Sequence, residues 1–597
     1  MNKKKTTSVF DLQIFYRLMG FAKKYRMHFI VSSITAVSLA IIAAIRPYLL
    51  IETVDTYIKG KDAEGLLTFT VYIFAALLAE VVLHLIFIYI ANWLGQHIIK
   101  DIRIKLFEHV LKFKMSYFDK SSVGQMVTRV VSDVETIAQF FGQGLFMIIS
   151  DLLKMSVIAG FMLYKNWQLA LISFAVLPII VYATKVFQAS IKVAFQQVRT
   201  QVANLNGFVQ ERVTGMQIVQ LFSREKIEYD KFKEINEAHK KAHVKTVWYF
   251  SIFFPIAEIL SSIAVGLLVW YGGLNLALNG TVSLGEIMGF IMMVEMLYRP
   301  LRQIADKFTT LQMGMVAGNR VFEIMDTQES VSTEGTIEIT SLKGEIKFED
   351  VYFSYIKGEE ILKGVSMKVK AGDTVAIVGA TGAGKSTIIN LINRFYEIDS
   401  GKILIDSINI NDFKLKSLRN HLAIVLQDVF LFSDSIFHNI TLKNENISLE
   451  IVQKAAKQIG IHDFIMSLPN DYEFNVKERG NMLSSGQRQL ISFLRAYVSN
   501  PSVLILDEAT SSVDSHSERM IQYATDKITK DRTSIIIAHR LATIQKADTI
   551  IVMDKGSIVE IGSHKVLLKN KDGYYKNLFE KQFNETSVIE TINQDVL

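Results

Sequence analysis

Cysteine is absent from the 597-residue chain. That excludes a disulfide scaffold, a thiolate metal site and a cysteine nucleophile, though it does not fix the compartment. Proline is scarce, six in all. A large excess of one charge is also missing: 65 Lys and Arg against 59 Asp and Glu give +6. Spread along the whole chain, that excess argues against a nucleic-acid partner and for the ordinary basic bias of membrane loops. The N-terminus is basic but lacks a short apolar core followed by a small-residue cleavage site, so it does not read as a removable leader. What the chain has in abundance is apolar sequence. Half of its residues are hydrophobic, only 21% are charged, and the mean hydropathy is +0.26. A single core stops growing near ~250 to 300 residues, so the composition predicts a very apolar part joined to an ordinary soluble one.

The apolar part is the first half. A helix needs ~20 apolar residues to cross a bilayer core, and six segments qualify: Phe29 to Ile51, Leu66 to Leu94, Phe140 to Tyr164, Trp167 to Phe187, Val247 to Tyr271 and Leu284 to Ile304. Spans three and four are separated by a turn of a few residues, and spans five and six by the uncharged GGLNLALNGTVS. From Gly95 to Gln139 and from Gln188 to Thr246 the chain is instead polar, helical in period, free of proline and rich in Lys and Arg. By the positive-inside rule both loops and both termini face the cytoplasm. The periodicity predicts long helices that run on from the spans and turn in the cytoplasm, rather than two small soluble insertions. The segment before span one is expected to lie as an amphipathic helix along the inner membrane face.

After about Asn319 the apolar runs shorten to strand length and alternate with helical stretches, as a mainly parallel α/β sheet requires. In this half the segment TVAIVGATGAGKST reads as a buried strand, a glycine-rich loop and a helix start. Gly379, Ala380, Thr381, Gly382, Ala383, Gly384, Lys385, Ser386 and Thr387 then form a phosphate cradle. Its backbone N–H groups turn inward, Lys385 reaches the β and γ phosphates, and the Ser386 hydroxyl is placed to ligate Mg²⁺. Four apolar residues precede Asp507 and Glu508, so two carboxylates stand at the end of a buried strand, where open α/β sheets bind ligands. Asp507 is expected to hold Mg²⁺ and Glu508 to polarise an attacking water; alone, the pair reads equally as acids that terminate a strand. Ser484, Ser485, Gly486 and Gln487 open a further helix and form either a second phosphate-binding surface or an ordinary N-cap.

Together these segments resemble the ABC transporters. The cassette motifs match their nucleotide-binding domain, and six spans with two long inner loops resemble a type IV exporter half-transporter. The likeness covers nearly the whole chain. It implies that Tyr355 in FSY stacks on adenine, that Gln427 in VLQDVFLF senses Mg²⁺ and the membrane helices, that Asp514 in SSVD is the D-loop residue, and that His539 in IIIAHRLAT holds the γ-phosphate and attacking water. Glu508 becomes the general base. It further implies two cassettes meeting head to tail, each P-loop closed by the LSSGQ segment, Leu483 to Gln487, of the other. The segment Met115 to Val134 resembles the first cytoplasmic loop of these exporters, with a short coupling helix near Ser116 to Ser122; Thr214 to Leu221 supplies the second. The expected fold is thus an all-α polytopic domain fused to an α/β P-loop cassette. It divides into an N-terminal segment (1–28), six transmembrane helices (29–320), a linker (321–344), the cassette (345–582) and a polar tail (583–597).

Two departures qualify the likeness. The signature is LSSGQ, with Ser485 in place of glycine, and Phe474 to Gly480 replaces the usual TEVGERG. Both favour a heterodimer over a homodimer, this chain contributing Tyr355, Lys385, Glu508 and His539 to the competent site. ATP and Mg²⁺ are the expected cofactors. The expected cargo is hydrophobic or amphipathic (drug, lipid or peptide), and the expected place is the cytoplasmic membrane. A leader-cleaving peptidase is excluded with cysteine. Charges inside the spans are costly, which singles out Glu80 with His84, Glu258, and Glu295 with Arg299 as candidates for cargo contact.

Overall fold

A bilayer core is crossed by ~20 helical residues, yet several helices of this protein are more than twice that length. The computed structural model describes residues 11–278, 280–329, 335–508, 515–538, 540–570 and 572–580, without the side chains of Arg302, Ile304, Ala305, Asp306, Glu508, Ser515 and His516. The chain forms two units, Met1–Leu111 with Val123–Thr327, and Lys112–Ser122 with Gln328–Leu597.

The first unit is helical. Asp11 caps α1 (Leu12–Ala22), its carboxylate accepting from the Gln13 and Ile14 N–H groups at 2.9 and 3.4 Å. A 3₁₀ turn leads into α2 (Arg26–Glu52), which ends in a π-helical turn, Thr53–Ile58. Asp62 then caps α3 (Ala63–Val110). At 48 residues and 1.5 Å per residue, α3 is about 70 Å long, so span two continues without a break into the first polar loop. α4 (Met115–Lys120) is short. α5 (Val123–Thr128), α6 (Val134–Gln139) and α7 (Phe146–Lys165) follow, joined by π-helical turns at Arg129–Asp133 and Phe140–Leu145. Asn166 ends α7 and caps α8 (Trp167–Ala175). α9 (Leu177–Thr214), the short α10 (Met216–Leu221) and α11 (Glu225–Leu278, 54 residues) carry the second polar loop as helix. Last comes α12 (Leu284–Asp326), opened by a capping box between Ser283 and Glu286.

Among the described residues, five helical stretches are long and apolar enough to cross a membrane: Leu12–Ile58, Ala63–Val110, Val123–Lys165, Trp167–Thr214 and Glu225–Leu278. The sixth expected span lies on α12. That helix is continuous, but Glu286, Glu295 and Arg299 interrupt its apolar stretch, so by composition it does not join the other five. α12 packs on α2 through glycine: a Cβ on Gly289 would sit 2.3 Å from Ile51 Cγ1, a close approach that only a missing side chain allows. The bundle core includes Ile158, Met162, Phe187, Phe253, Leu268 and Phe290. Buried within it, the Tyr298 hydroxyl donates to the Ser173 carbonyl at 2.7 Å, so that polar group is satisfied. In contrast only 6% of the most apolar window of α3 is buried; lipid or another chain must cover the rest.

The second unit is α/β. Strands β1 (Ile346–Ser354), β2 (Glu360–Val369), β4 (Ser400–Ile405) and β5 (Ile408–Asn409) form an antiparallel sheet in the order β2-β1-β4-β5. The larger sheet has the order β10-β9-β3-β8-β7-β6, built from β3 (Thr374–Gly379), β6 (Leu422–Val425), β7 (Val503–Glu508), β8 (Thr533–Ala538), β9 (Thr549–Asp554) and β10 (Ser557–Gly562). All its neighbours are parallel except β10 against β9. Strand side chains alternate between faces, and both faces are covered. Val375 and Ile377 of β3 join one core with β1, β2 and the helix α13 (Lys385–Ile392), whereas Ala376 and Val378 join another with the helix Ser485–Val498. This double burial explains the unbroken apolar runs that marked the strands in sequence. The incoming chain is fixed to the unit where Lys343, Gly344 and Glu345 donate their N–H groups to the Asp406 carboxylate at 2.7, 3.1 and 2.9 Å.

Candidate nucleotide site

Parallel register decides which residues meet. Val425 pairs with Leu506 across β6 and β7, and Glu508 pairs with Ala538 across β7 and β8. β8 in turn pairs with β3, which runs straight into the glycine-rich loop. Gln427, Asp507, the backbone of Glu508 and the P-loop therefore share one edge of the sheet. The Glu508 side chain, Asp514 and His539 lie outside the described residues.

The loop from Gly379 to Gly384 is shaped by what a side chain would hit. A Cβ on Gly379 would lie 2.2 Å from the Met553 carbonyl oxygen, so this residue lets β3 pass β9. Gly384 has φ +98° and caps α13, where a Cβ would also meet Leu362 at 2.8 Å. Gly382, at φ +83°, faces open space; only its backbone conformation calls for glycine.

Lys385 is 8% exposed. Its ammonium donates to the Gly379 and Ala380 carbonyls at 2.7 and 2.9 Å, which curls the side chain over the loop. Burial pushes its pKa down, and the Asp507 charge partly opposes this. Burial likewise pushes the Asp507 carboxyl up, against the pull of Lys385 and with help from Asp428. The two charges thus stabilise each other in a place that penalises both, as ligand-poised charges commonly do. Ser386 is exposed at the start of α13, and Gln427 is exposed just beyond β6.

Tyr355 follows β1 directly. Its hydroxyl accepts from Asn390 Nδ2 at 3.0 Å and donates to Thr387 Oγ1 at 3.4 Å. Phe353 and Tyr396 stand edge-on to its ring at 4.8 and 5.0 Å. Tyr396 was not singled out by sequence; a tyrosine after a helix carries no local signal of its own.

Ser484 caps the helix Ser485–Val498. The Gln487 N–H donates to Ser484 Oγ at 3.2 Å, and Gln487 Oε1 accepts from the Ser484 N–H at 2.9 Å. The N-cap reading of Ser484 therefore holds within this chain, and Gly486 is buried beneath it.

In the helical unit Glu80 does not rely on His84. Its carboxylate accepts from Arg46 on α2 at 2.8 Å and from Lys154 on α7 at 3.2 Å. Lys307 and Asp151 form a second pair at 2.5 Å. Glu258 is exposed on α11, and Glu295 and Arg299 are exposed together on α12.

A P-loop at the strand ends of a parallel sheet, a carboxylate beside its lysine and a fused bundle of membrane helices define an ATP-binding membrane ATPase. Comparison places it more closely. The family model for the ABC transporter transmembrane region matches residues 29–301, and that for the ABC transporter cassette matches residues 362–511. The chain belongs to the ABC transporter family, as a half-transporter of the type IV exporter class, and couples ATP hydrolysis to transport. Among its relatives is the Bacillus subtilis (strain 168) protein named uncharacterized ABC transporter ATP-binding protein YknV, 36% identical over 95% of this chain and 94% of that one. Another from the same strain, named putative multidrug export ATP-binding/permease protein YgaD, is 35% identical over 95% and 99% of the two chains. The ATP-dependent lipid A-core flippase of Syntrophus aciditrophicus (strain SB) is 32% identical over 98% and 97%.

Proposed function

We propose that this chain pairs with a second half-transporter in the cytoplasmic membrane and exports a hydrophobic or amphipathic substrate, a drug, lipid or peptide, by alternating access. ATP lies on the P-loop with its adenine on Tyr355, and Ser484, Ser485, Gly486 and Gln487 of the facing cassette close over it. Closure moves the long helices, and hydrolysis resets them. Glu508 is the general base, His539 holds the γ-phosphate and attacking water, and Asp514 links the two cassettes. The observation that carries the reading is the meeting of Lys385, Asp507 and Gln427 at one sheet edge. Relatives named for multidrug export and for lipid A-core flipping support the cargo class.

Mg²⁺ fits the donors present. The Ser386 hydroxyl, the Asp507 carboxylate and the Gln427 amide oxygen are hard oxygen ligands of the kind this ion takes. When bound, it neutralises phosphate charge during transfer.

A variant in which Glu508→Gln replaces the base tests export against the rival reading, an ATP-gated regulator or channel. In vesicles with its partner, the variant is expected to bind ATP, lose about 10²-fold to 10⁴-fold in turnover and stop moving cargo. Cargo that still crosses at the wild-type rate with ATP bound would make the protein a gated channel. Ser485 favours a heterodimer; full cooperative ATPase activity of this chain alone, at two equivalent sites, would rule that out.

A further inference from the structure

Tyr355 stands just past the end of β1 and is 39% exposed, so its ring depends on neighbours for its orientation. Tyr396 is one of them, at 90° and 5.0 Å. Tyr396 in turn is fixed from a distant part of the chain, its hydroxyl donating to the Asp119 carboxylate at the end of α4. The next residue, Glu397, pairs with Lys114 at 3.1 Å, and the Lys114 N–H donates to the Glu329 carbonyl at 2.9 Å. Segment 112–122 is thus part of the second unit, although the chain runs it between α3 and α5 of the first. One of its anchors on that unit is the turn that ends the P-loop helix.

We propose that Tyr396 is a positioning residue for nucleotide binding: its hydroxyl, held by Asp119, sets the ring that braces Tyr355, so the base-binding face registers where segment 112–122 sits. Two aromatic rings and one hydrogen bond then join the first cytoplasmic loop to the adenine, separately from the route through Gln427. The link is geometrically stiff. Edge-to-face rings resist sliding, and a phenol donating to a carboxylate is charge-assisted. Burial and the adjacent Asp119 hold the Tyr396 hydroxyl well above the ordinary tyrosine value, so it remains a donor. Phosphate contacts are not part of this link, because Lys385 and the glycine loop lie at the other end of α13.

The inference rests on Tyr355 carrying the adenine, and the test separates the two ideas. The assembled transporter in lipid nanodiscs is assayed for ATPase kcat and KM, with Mg-tripolyphosphate, which has no base, as a competing ligand. Tyr396→Phe and Asp119→Ala are each expected to raise KM for ATP about 3-fold to 10-fold, the span of one net hydrogen bond. The double variant should be no worse than either single one, because both remove the same bond. The kcat at saturating ATP and the inhibition constant of tripolyphosphate should stay within about twofold. Asp119→Asn should recover most of the loss, since its amide oxygen still accepts from the phenol. An unchanged KM in Tyr396→Phe would overturn the proposal, as would a tripolyphosphate constant that rises in parallel, which means general loosening of the P-loop. If Tyr355→Ala leaves ATP affinity intact, the adenine assignment fails and the proposal with it.

Discussion

Removing the carboxylate of Glu80 by Glu80→Ala leaves Arg46 and Lys154 facing each other with their shared counter-ion gone. The side chains are 15%, 25% and 27% exposed for Glu80, Arg46 and Lys154, so all three charges are mostly withdrawn from water. Breaking a fully buried ion pair costs about 3 to 5 kcal/mol, largely through the charge left behind. Partial exposure reduces this, and two stranded cations rather than one add to it; about 2 to 4 kcal/mol is the expected loss. For a unit of this size that is a fall of about 4 to 8 °C in unfolding temperature. Helical circular dichroism of the purified chain in nanodiscs measures it, with saturating MgATP holding the second unit folded. The decisive control replaces all three residues at once by methionine. With no charge left to desolvate, that variant should return close to the wild-type midpoint. A Glu80→Ala midpoint within about 1 °C of wild type, or a triple variant no better than the single one, would refute the role of Glu80 as a structural counter-ion. Its cost would then have to be sought in cargo binding.

Asp507 gives a sign that is easy to miss. Its pKa is raised, so the stability tied to its proton is complete below the ordinary aspartate value and lost as pH rises through the raised one. At neutral pH the ionised carboxylate is a net cost that the attraction of the Lys385 charge does not cancel. Asp507→Asn should therefore melt no lower than wild type without nucleotide, while Mg²⁺-dependent hydrolysis is lost; a clearly lower melting temperature at neutral pH would contradict this. Gly379→Ala drives a methyl group to 2.2 Å from a backbone oxygen of β9, and β9 is locked between β3 and β10. It is expected to cost at least about 1 to 3 kcal/mol and to weaken ATP binding; wild-type affinity and melting would show that the seam yields. Glu295→Ala with Arg299→Ala should abolish stimulation of the ATPase by cargo, and unchanged stimulation would remove this pair from the cargo path.

The P-loop was legible because everything it needs is contiguous: an apolar strand, a glycine-rich loop, then a helix. Asp507 was legible for the same reason, as the residue after four apolar ones. The long helices could be seen from periodicity and the missing prolines. Pairings across the bundle could not. His84 lies one turn from Glu80 and drew attention as its neighbour, whereas Arg46 and Lys154 are 34 and 74 residues away in sequence. Nothing local marks such partners; only helix packing brings them together. Span six was read from the sequence as a sixth apolar segment; its helix is there, but Glu286, Glu295 and Arg299 sit inside it and set it apart by composition from the other five. Tyr396 escaped because its significance depends on Asp119, 277 residues earlier. The sequence left Ser484 open between an N-cap and a phosphate-binding surface, and its reciprocal hydrogen bonds with Gln487 supply the cap.

That 277-residue separation also has a consequence during synthesis. Lys114 and Asp119 leave the ribosome long before Tyr396 and Glu397 exist. At about 5 to 20 residues per second, the early segment waits roughly 15 to 55 seconds for its seat, while the spans between are being inserted. A nascent chain halted within the linker would have its apolar helices complete and one charged hairpin tip still undocked. Such a product displays, at a defined place, the mark of an unfinished molecule, and a chaperone or protease reading residues 112–122 could tell it from a finished one.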